Sequence, residues 1–125
     1  MTSVHQLSSL AEVKSLSEQN SYFAVYCYAD WLGDCRVALN LYEQAAEGRS
    51  LPGHLAFAKY NIEDDGGELA SEFGVEAMPA FLFFEGGSPV EINGVARLIG
   101  VNPDALESAT ATLHERATQR QADEA

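Results

Sequence analysis

The sequence predicts one α/β domain: a central mixed five-stranded β-sheet flanked by four α-helices. Three observations lead there. The 125 residues are 46% hydrophobic and 21% charged, a globular rather than a disordered or collagen-like composition. That length fits a single domain able to bury roughly two-thirds of its unfolded surface. Strand-like runs alternate with helix-like spacings in the order β-α-β-α-β-α-β-β-α, and three alternating units followed by a hairpin and a helix argue for a mixed sheet with helices on both faces.

Each element has its own signal. Residues 4–7 (VHQL) form a short first strand. Ser8 or Ser9 caps a helix to about residue 19, with Leu10, Val13 and Leu16 on one side. Residues 22–28 (YFAVYCY) are aromatic and β-branched, as a buried central strand requires. After a turn at 29–34, a helix over about 34–47 carries Val37, Ala38, Leu41, Tyr42 and Ala45 at spacings of three and four. Gly48 ends it, and Pro52-Gly53 marks the following loop. Residues 55–61 (LAFAKYN) are the next strand, and the loop 64–67 leads into a short helix at 68–73 whose acidic start suits a helix N-terminus. Gly74 closes that helix. Residues 80–85 are a strongly apolar strand, Gly86-Gly87 opens a hairpin loop, and a return strand is expected over 95–99. Asn102-Pro103-Asp104 starts the last helix, which carries Leu106, Ala109, Thr110 and Leu113. The domain is expected to end near 116, with the polar tail 117–125 (ATQRQADEA) fraying.

Charge and cysteine usage exclude several functions. Seven Lys+Arg against nineteen Asp+Glu leave a net charge of −12, which argues against nucleic acid or an anionic membrane as a partner. The acidity is read first as solubility, with a basic partner or a salt-adapted host as the other readings. The longest apolar runs, 22–29 and 77–84, fall far short of the roughly twenty residues of a membrane span. The N-terminus has no apolar h-region, so a reducing cytoplasm is the expected compartment. Two cysteines, Cys27 and Cys35, make neither a disulfide framework nor a metal spacing. No metal or cofactor is expected, and His5, His54 and His114 read as surface or loop residues.

Four segments carry a family resemblance: AVYCYADWLGDC at 24–35, FAKYNIEDD at 57–65, FGVEAMPAFLFFEGG at 73–87 and LIGVNPDALES at 98–108. In this order and on these elements the chain resembles the thioredoxin family over about residues 4–116, which implies the thioredoxin fold. The family follows its Trp with Cys-Gly-Pro-Cys, whereas Trp31 is followed here by Leu32-Gly33-Asp34-Cys35. The family's buried acid corresponds to Tyr26, the Lys beside that acid to Lys59, the proline bending the long helix to Asn40, and the cis proline before the fourth strand to Pro79.

These departures bear on the chemistry. In a dithiol oxidoreductase, the first thiolate attacks a target disulfide and the second thiol resolves the mixed disulfide. Leu32 has no sulfur to attack with. If Tyr26 points toward the site, strand alternation turns Cys27 to the opposite face, away from Cys35. Tyr26, with a reference pKa of about 10, is a poor base and reads as packing, and Lys59 is expected to snorkel to solvent. The resemblance implies an apolar groove formed by Trp31, Leu32, Gly33, Asp34, Met78 and Pro79, where an extended peptide of a partner protein pairs with the backbone before the proline. The loop 86–94 is longer than the family's tight hairpin and is either a binding feature or neutral decoration. Two functions are therefore expected to compete. One is an atypical thioredoxin-like binding or regulatory module without ordinary disulfide reductase activity. The other is a single-cysteine thiol oxidoreductase of cell redox homeostasis, with Cys35 forming mixed disulfides with protein thiols or glutathione. The exposure of Cys35 is the observation that weighs between them.

Overall fold

Strand β2 (Tyr22–Tyr28) lies at the centre of the sheet, buried from Tyr22 through Cys27. In this computed structural model, residues 4–29, 33–65 and 67–124 are described. The other elements are β1 (Val4–Leu7), α1 (Leu10–Gln19), α2 (Gly33–Ala46), β3 (Leu55–Asn61), a 3-10 turn (Ile62–Asp65), α3 (Glu68–Phe73), β4 (Ala80–Glu85), β5 (Ser88–Pro89), β6 (Arg97–Ile99) and α4 (Pro103–Glu124). The strand order is β1-β3-β2-β4-β5, with β6 also on β4. β1, β3 and β2 are mutually parallel, and β4 runs antiparallel to β2, β5 and β6.

Two layers follow from strand alternation. Tyr22, Ala24 and Tyr26 face α2 and α4, in a cluster with Tyr42, Phe57, Phe81, Leu106 and Leu113. Phe23, Val25 and Cys27 face α1 and α3, in a second cluster with Val13, Tyr60, Leu69 and Phe84. A strand covered on both faces has no polar side to show, which is why YFAVYCY is continuously apolar or aromatic. Helix α1 opens on a reciprocal cap: Ser9 Oγ accepts from the Glu12 N–H at 3.2 Å, while the Glu12 carboxylate accepts from the Ser8 N–H at 3.1 Å. Arg49 joins α2 to α4, donating to the Ala45 carbonyl at 2.8 Å, to Thr110 Oγ1 at 3.0 Å and to Glu107 at 2.5 Å.

The structure differs from the sequence reading in several places. The sheet has six strands rather than five, because Ser88–Pro89 pairs with Glu85 and Phe84 inside what reads as a loop. Two residues, one of them proline, give no alternation to detect, and a proline fits an edge strand. The return strand is shorter than expected, Arg97–Ile99 rather than 95–99. The 86–94 segment is mostly exposed but anchored at two points: the Val90 N–H donates to Phe83 O at 2.9 Å, and Ile92 is buried. Val37 is 53% exposed, because the buried stripe of α2 runs through Cys35, Ala38, Tyr42 and Ala45, and Val37 is turned about 100° from Ala38.

The tail is the largest correction. It does not fray: α4 continues to Glu124, since Ala117 extends the buried stripe of Leu106, Ala109, Thr110 and Leu113. Arg120 then binds Glu85 at 3.2 Å and lies over the Tyr22 ring, and Glu124 binds His54 at 3.3 Å. His54 lies in the turn at 52–54, a loop residue as read from the sequence, and His114 is half-buried on α4, its Nδ1 3.1 Å from Arg49 O.

Truncation after Arg116 tests the extended helix. It should lower the unfolding free energy by about 1–3 kcal/mol, read as an earlier urea midpoint, since it uncovers core and removes Ala117. An unchanged midpoint would show that the last turns of α4 contribute nothing.

Candidate functional site

The parallel strands β2 and β3 end together at Tyr28 and Asn61, β4 begins beside them at Ala80, and α2 starts just beyond β2 at Gly33. Chain reversals therefore collect at one end of the sheet. Of the residues expected in the groove, Trp31 and Leu32 lie outside the described residues. Gly33, Asp34, Cys35, Met78 and Pro79 are brought to this end.

Gly33 and Asp34 open α2 and are exposed. Cys35, one residue on, turns into the core and is only 4% exposed. Its carbonyl accepts the Tyr26 hydroxyl at 2.5 Å. Tyr26 is itself fully buried, stacked on Tyr28 and Phe81 at centroid distances of 5.3 and 4.9 Å and tilted against Tyr42 at 5.6 Å. A ring fills this layer below Cys35, and its one polar atom holds the first turn of α2. Desolvation, with the bond to Cys35 second, pushes the Tyr26 phenol well above its ordinary pKa. The group is a fixed hydrogen-bond donor there, not a proton acceptor. Lys59 lies opposite Tyr26 in the ladder and is half-buried, and it forms no ion pair among the described residues.

Cys27 belongs to the other layer, with Val25, Leu82 and Ala80. Both cysteines are thiols, with β2 itself between the layers they occupy. Among the described residues no cluster of three or more His, Cys, Asp or Glu side chains could hold a metal ion, and no helix is long and apolar enough to cross a membrane.

On the far side, the Met78-Pro79 peptide bond is cis. The Pro79 carbonyl accepts the Gly100 N–H at 2.8 Å, which ties the exit of β6 to the entry of β4. Met78 is half-buried and packs against both core clusters. Beside it opens a cleft of about 390 Å³ lined by Gly74, Glu76, Ala77, Arg97 and Ile99. Arg97 donates to the carbonyls of Phe73 and Gly74 at the end of α3. The sequence reading missed this cleft, treating Arg97 and Ile99 only as strand residues. The available signal was their spacing of two, which turns both side chains to one face of an edge strand.

Comparison with known proteins agrees with this architecture. The family model described as Thioredoxin matches residues 4–110. A thioredoxin-like protein of Fusarium culmorum is 37% identical over 117 residues, 94% of this chain and 96% of its own length. A thioredoxin of Neurospora crassa is 34% identical over 119 residues, 95% and 93% of the two chains. The crystal structure of Malassezia sympodialis thioredoxin superposes with a TM-score of 0.78 at 23% identity, covering 91% of this chain and 93% of that one, a likeness of fold.

The buried phenol predicts an alkaline limit to stability. The unfolded chain releases this proton near the ordinary value of 10.0, whereas the folded chain keeps it. The stability it contributes is therefore complete below that pH and declines as pH rises beyond it. Tyr26→Phe should cost about 1–2 kcal/mol at neutral pH through the lost bond to Cys35 O, and should make the decline above about pH 10 shallower, the buried Tyr42 phenol, also raised by desolvation, supplying the rest. Urea midpoints across that range read both effects, and an unchanged slope in the variant would show that Tyr26 is not the group responsible.

Proposed function

We propose that this chain, which belongs to the thioredoxin family, acts as a binding or regulatory module and not as a dithiol–disulfide reductase. Of the residues expected to form its groove, Gly33 and Asp34 on one side and Met78 and Pro79 on the other are described, and Trp31 and Leu32 complete the set in the sequence. There it takes an extended peptide of a partner protein. The observation that carries this reading is the placement of sulfur. The chain has two cysteines, position 32 is leucine, Cys35 is 4% exposed, and Cys27 lies in the opposite layer. Thiol–disulfide exchange needs an accessible thiolate in line with the target disulfide and a second thiol within reach to release the product. Neither condition is supported here. Peptide pairing at the edge before Pro79 needs only main-chain groups and an apolar floor.

The competing reading, a single-thiol enzyme, draws on the position of Cys35 as a free thiol in the first turn of α2, at the end of the sheet that holds the groove. Burial of the sulfur weighs against it.

Two measurements separate the readings. In the insulin assay with dithiothreitol, the protein should add nothing to the reagent background, and Cys35→Ser should behave identically. Turnover well above background that disappears in Cys35→Ser would overturn the binding-module reading. Alkylation of Cys35 should be slow in the native protein and become fast only on unfolding, whereas rapid native reaction at neutral pH would favour the single-thiol enzyme. A Leu32→Cys, Asp34→Pro double variant should remain well below a dithiol thioredoxin in rate, because Tyr26 still occupies the space beneath the second sulfur.

A further inference from the structure

Every large apolar side chain left exposed among the described residues lies at the end of the sheet that holds the groove. These are Val37 near the start of α2, 53% exposed, and Ile99 and Val101 next to Pro79, 48% and 39% exposed. Ile99 pairs with Ala80 in the ladder, and Gly100 is bonded to Pro79, so β6 delivers two of the three to the Met78-Pro79 edge. Ile99 also shares its cleft with Ala77 and Glu76. Val37 stands on α2, so the apolar part of this edge is Ile99 and Val101 beside Ala77, and an exposed apolar group rimmed by polar ones suits an interaction surface.

The charges around it select the partner. Asp34, Glu63, Asp64 and Glu76 are exposed at this end, and none enters an ion pair among the described residues. The four ion pairs, Lys14–Glu72, Arg49–Glu107, His54–Glu124 and Arg120–Glu85, all lie elsewhere. Of the cations near the groove, Lys59 is half-buried, Arg97 is held on the Phe73 and Gly74 carbonyls, and Arg36 is exposed on α2. Beyond the patch, the whole chain carries −12. A second copy would bring the same −12 to the same acids, and an acidic segment would meet the same repulsion. A cationic segment is steered toward the surface and finds unpaired carboxylates when it arrives.

We propose that the occupant of the groove is a basic extended segment of a partner protein. Aliphatic stems of its Lys or Arg side chains lie over Ile99 and Ala77, and their charges meet Glu76 and Asp34. This rests on the groove reading and adds the chemistry of the partner to it.

The test uses three synthetic peptides of equal length and equal Val and Leu content, with Arg, Gln or Glu at the same positions. Each is titrated into the full-length, isotope-labelled protein while backbone amide shifts are followed. The Arg peptide should bind about tenfold or more tighter than the Glu peptide at low salt, and should lose most of that advantage once salt shortens the Debye length below about 8 Å. It should shift the amides of Met78, Ile99, Gly100 and Val101. Asp34→Asn with Glu76→Gln should narrow the gap between the Arg and Gln peptides, weakening the Arg peptide several-fold more than the Gln peptide; an undiminished gap would overturn the role of these two carboxylates. Equal affinities of the Arg and Gln peptides at these amides would overturn the basic-partner inference and leave the groove standing. If no peptide moves these amides, the groove reading fails and the inference fails with it.

Discussion

Strand β2 is hydrogen-bonded along both edges and covered on both faces, so each of its side chains is committed to one layer. Tyr22, Ala24 and Tyr26 look toward α2 and α4, and Phe23, Val25 and Cys27 toward α1 and α3. No local adjustment can move one residue across, because a one-residue slip would turn every apolar side chain to the wrong layer. The separation of the two sulfurs is thus a property of the sheet. It persists as long as the fold does, and it shapes what chemistry the chain can perform.

The same constraint explains Tyr26. A position that faces the layer beneath α2 must be filled, and an ionisable acid there would have to be desolvated. The phenol fills the volume with a ring that stacks on Tyr28 and Phe81, and its hydroxyl finds the Cys35 carbonyl. Tyr42 repeats the solution about two turns further along α2 than Cys35, its hydroxyl reaching both Ala24 O at 3.0 Å and Ala58 O at 2.9 Å. Packing and hydrogen-bond satisfaction agree at both positions, so each ring is fixed in place by its own hydroxyl.

The elements that were legible in the sequence are those with a long, clean period. The runs at 22–28, 55–61 and 80–85 emerge with those bounds, as does the short helix at 68–73. The orientation of Cys27 away from the layer of Cys35 follows from alternation once Tyr26 is set facing the site, as the family resemblance implies. Apart from the two-residue β5, the misses arise because burial depends on partners distant in the chain. Val37 has the right spacing for the core, but the sheet meets α2 along a stripe that passes it by. The segment from Ala117 onward is polar on average, but Glu85, Tyr22 and His54 await it across the fold. Ile99 and Glu76 belong to different elements, so only the structure shows that they share a cleft.

β4 ends in an arrangement with a consequence for self-association. Its outer edge is taken at one end by Ser88–Pro89 and at the other by Arg97–Ile99, and the hairpin between is braced to α4 by Asn93, which bonds Ser108 at 3.1 Å and Thr112 at 3.2 Å. The opposite border of the sheet is the four-residue β1. A strongly apolar strand such as AFLFFE would otherwise template cross-β stacking between molecules. With both ends of its rim occupied by short, proline- and arginine-bearing segments, the most aggregation-prone stretch of the sequence is shielded from intermolecular zippering.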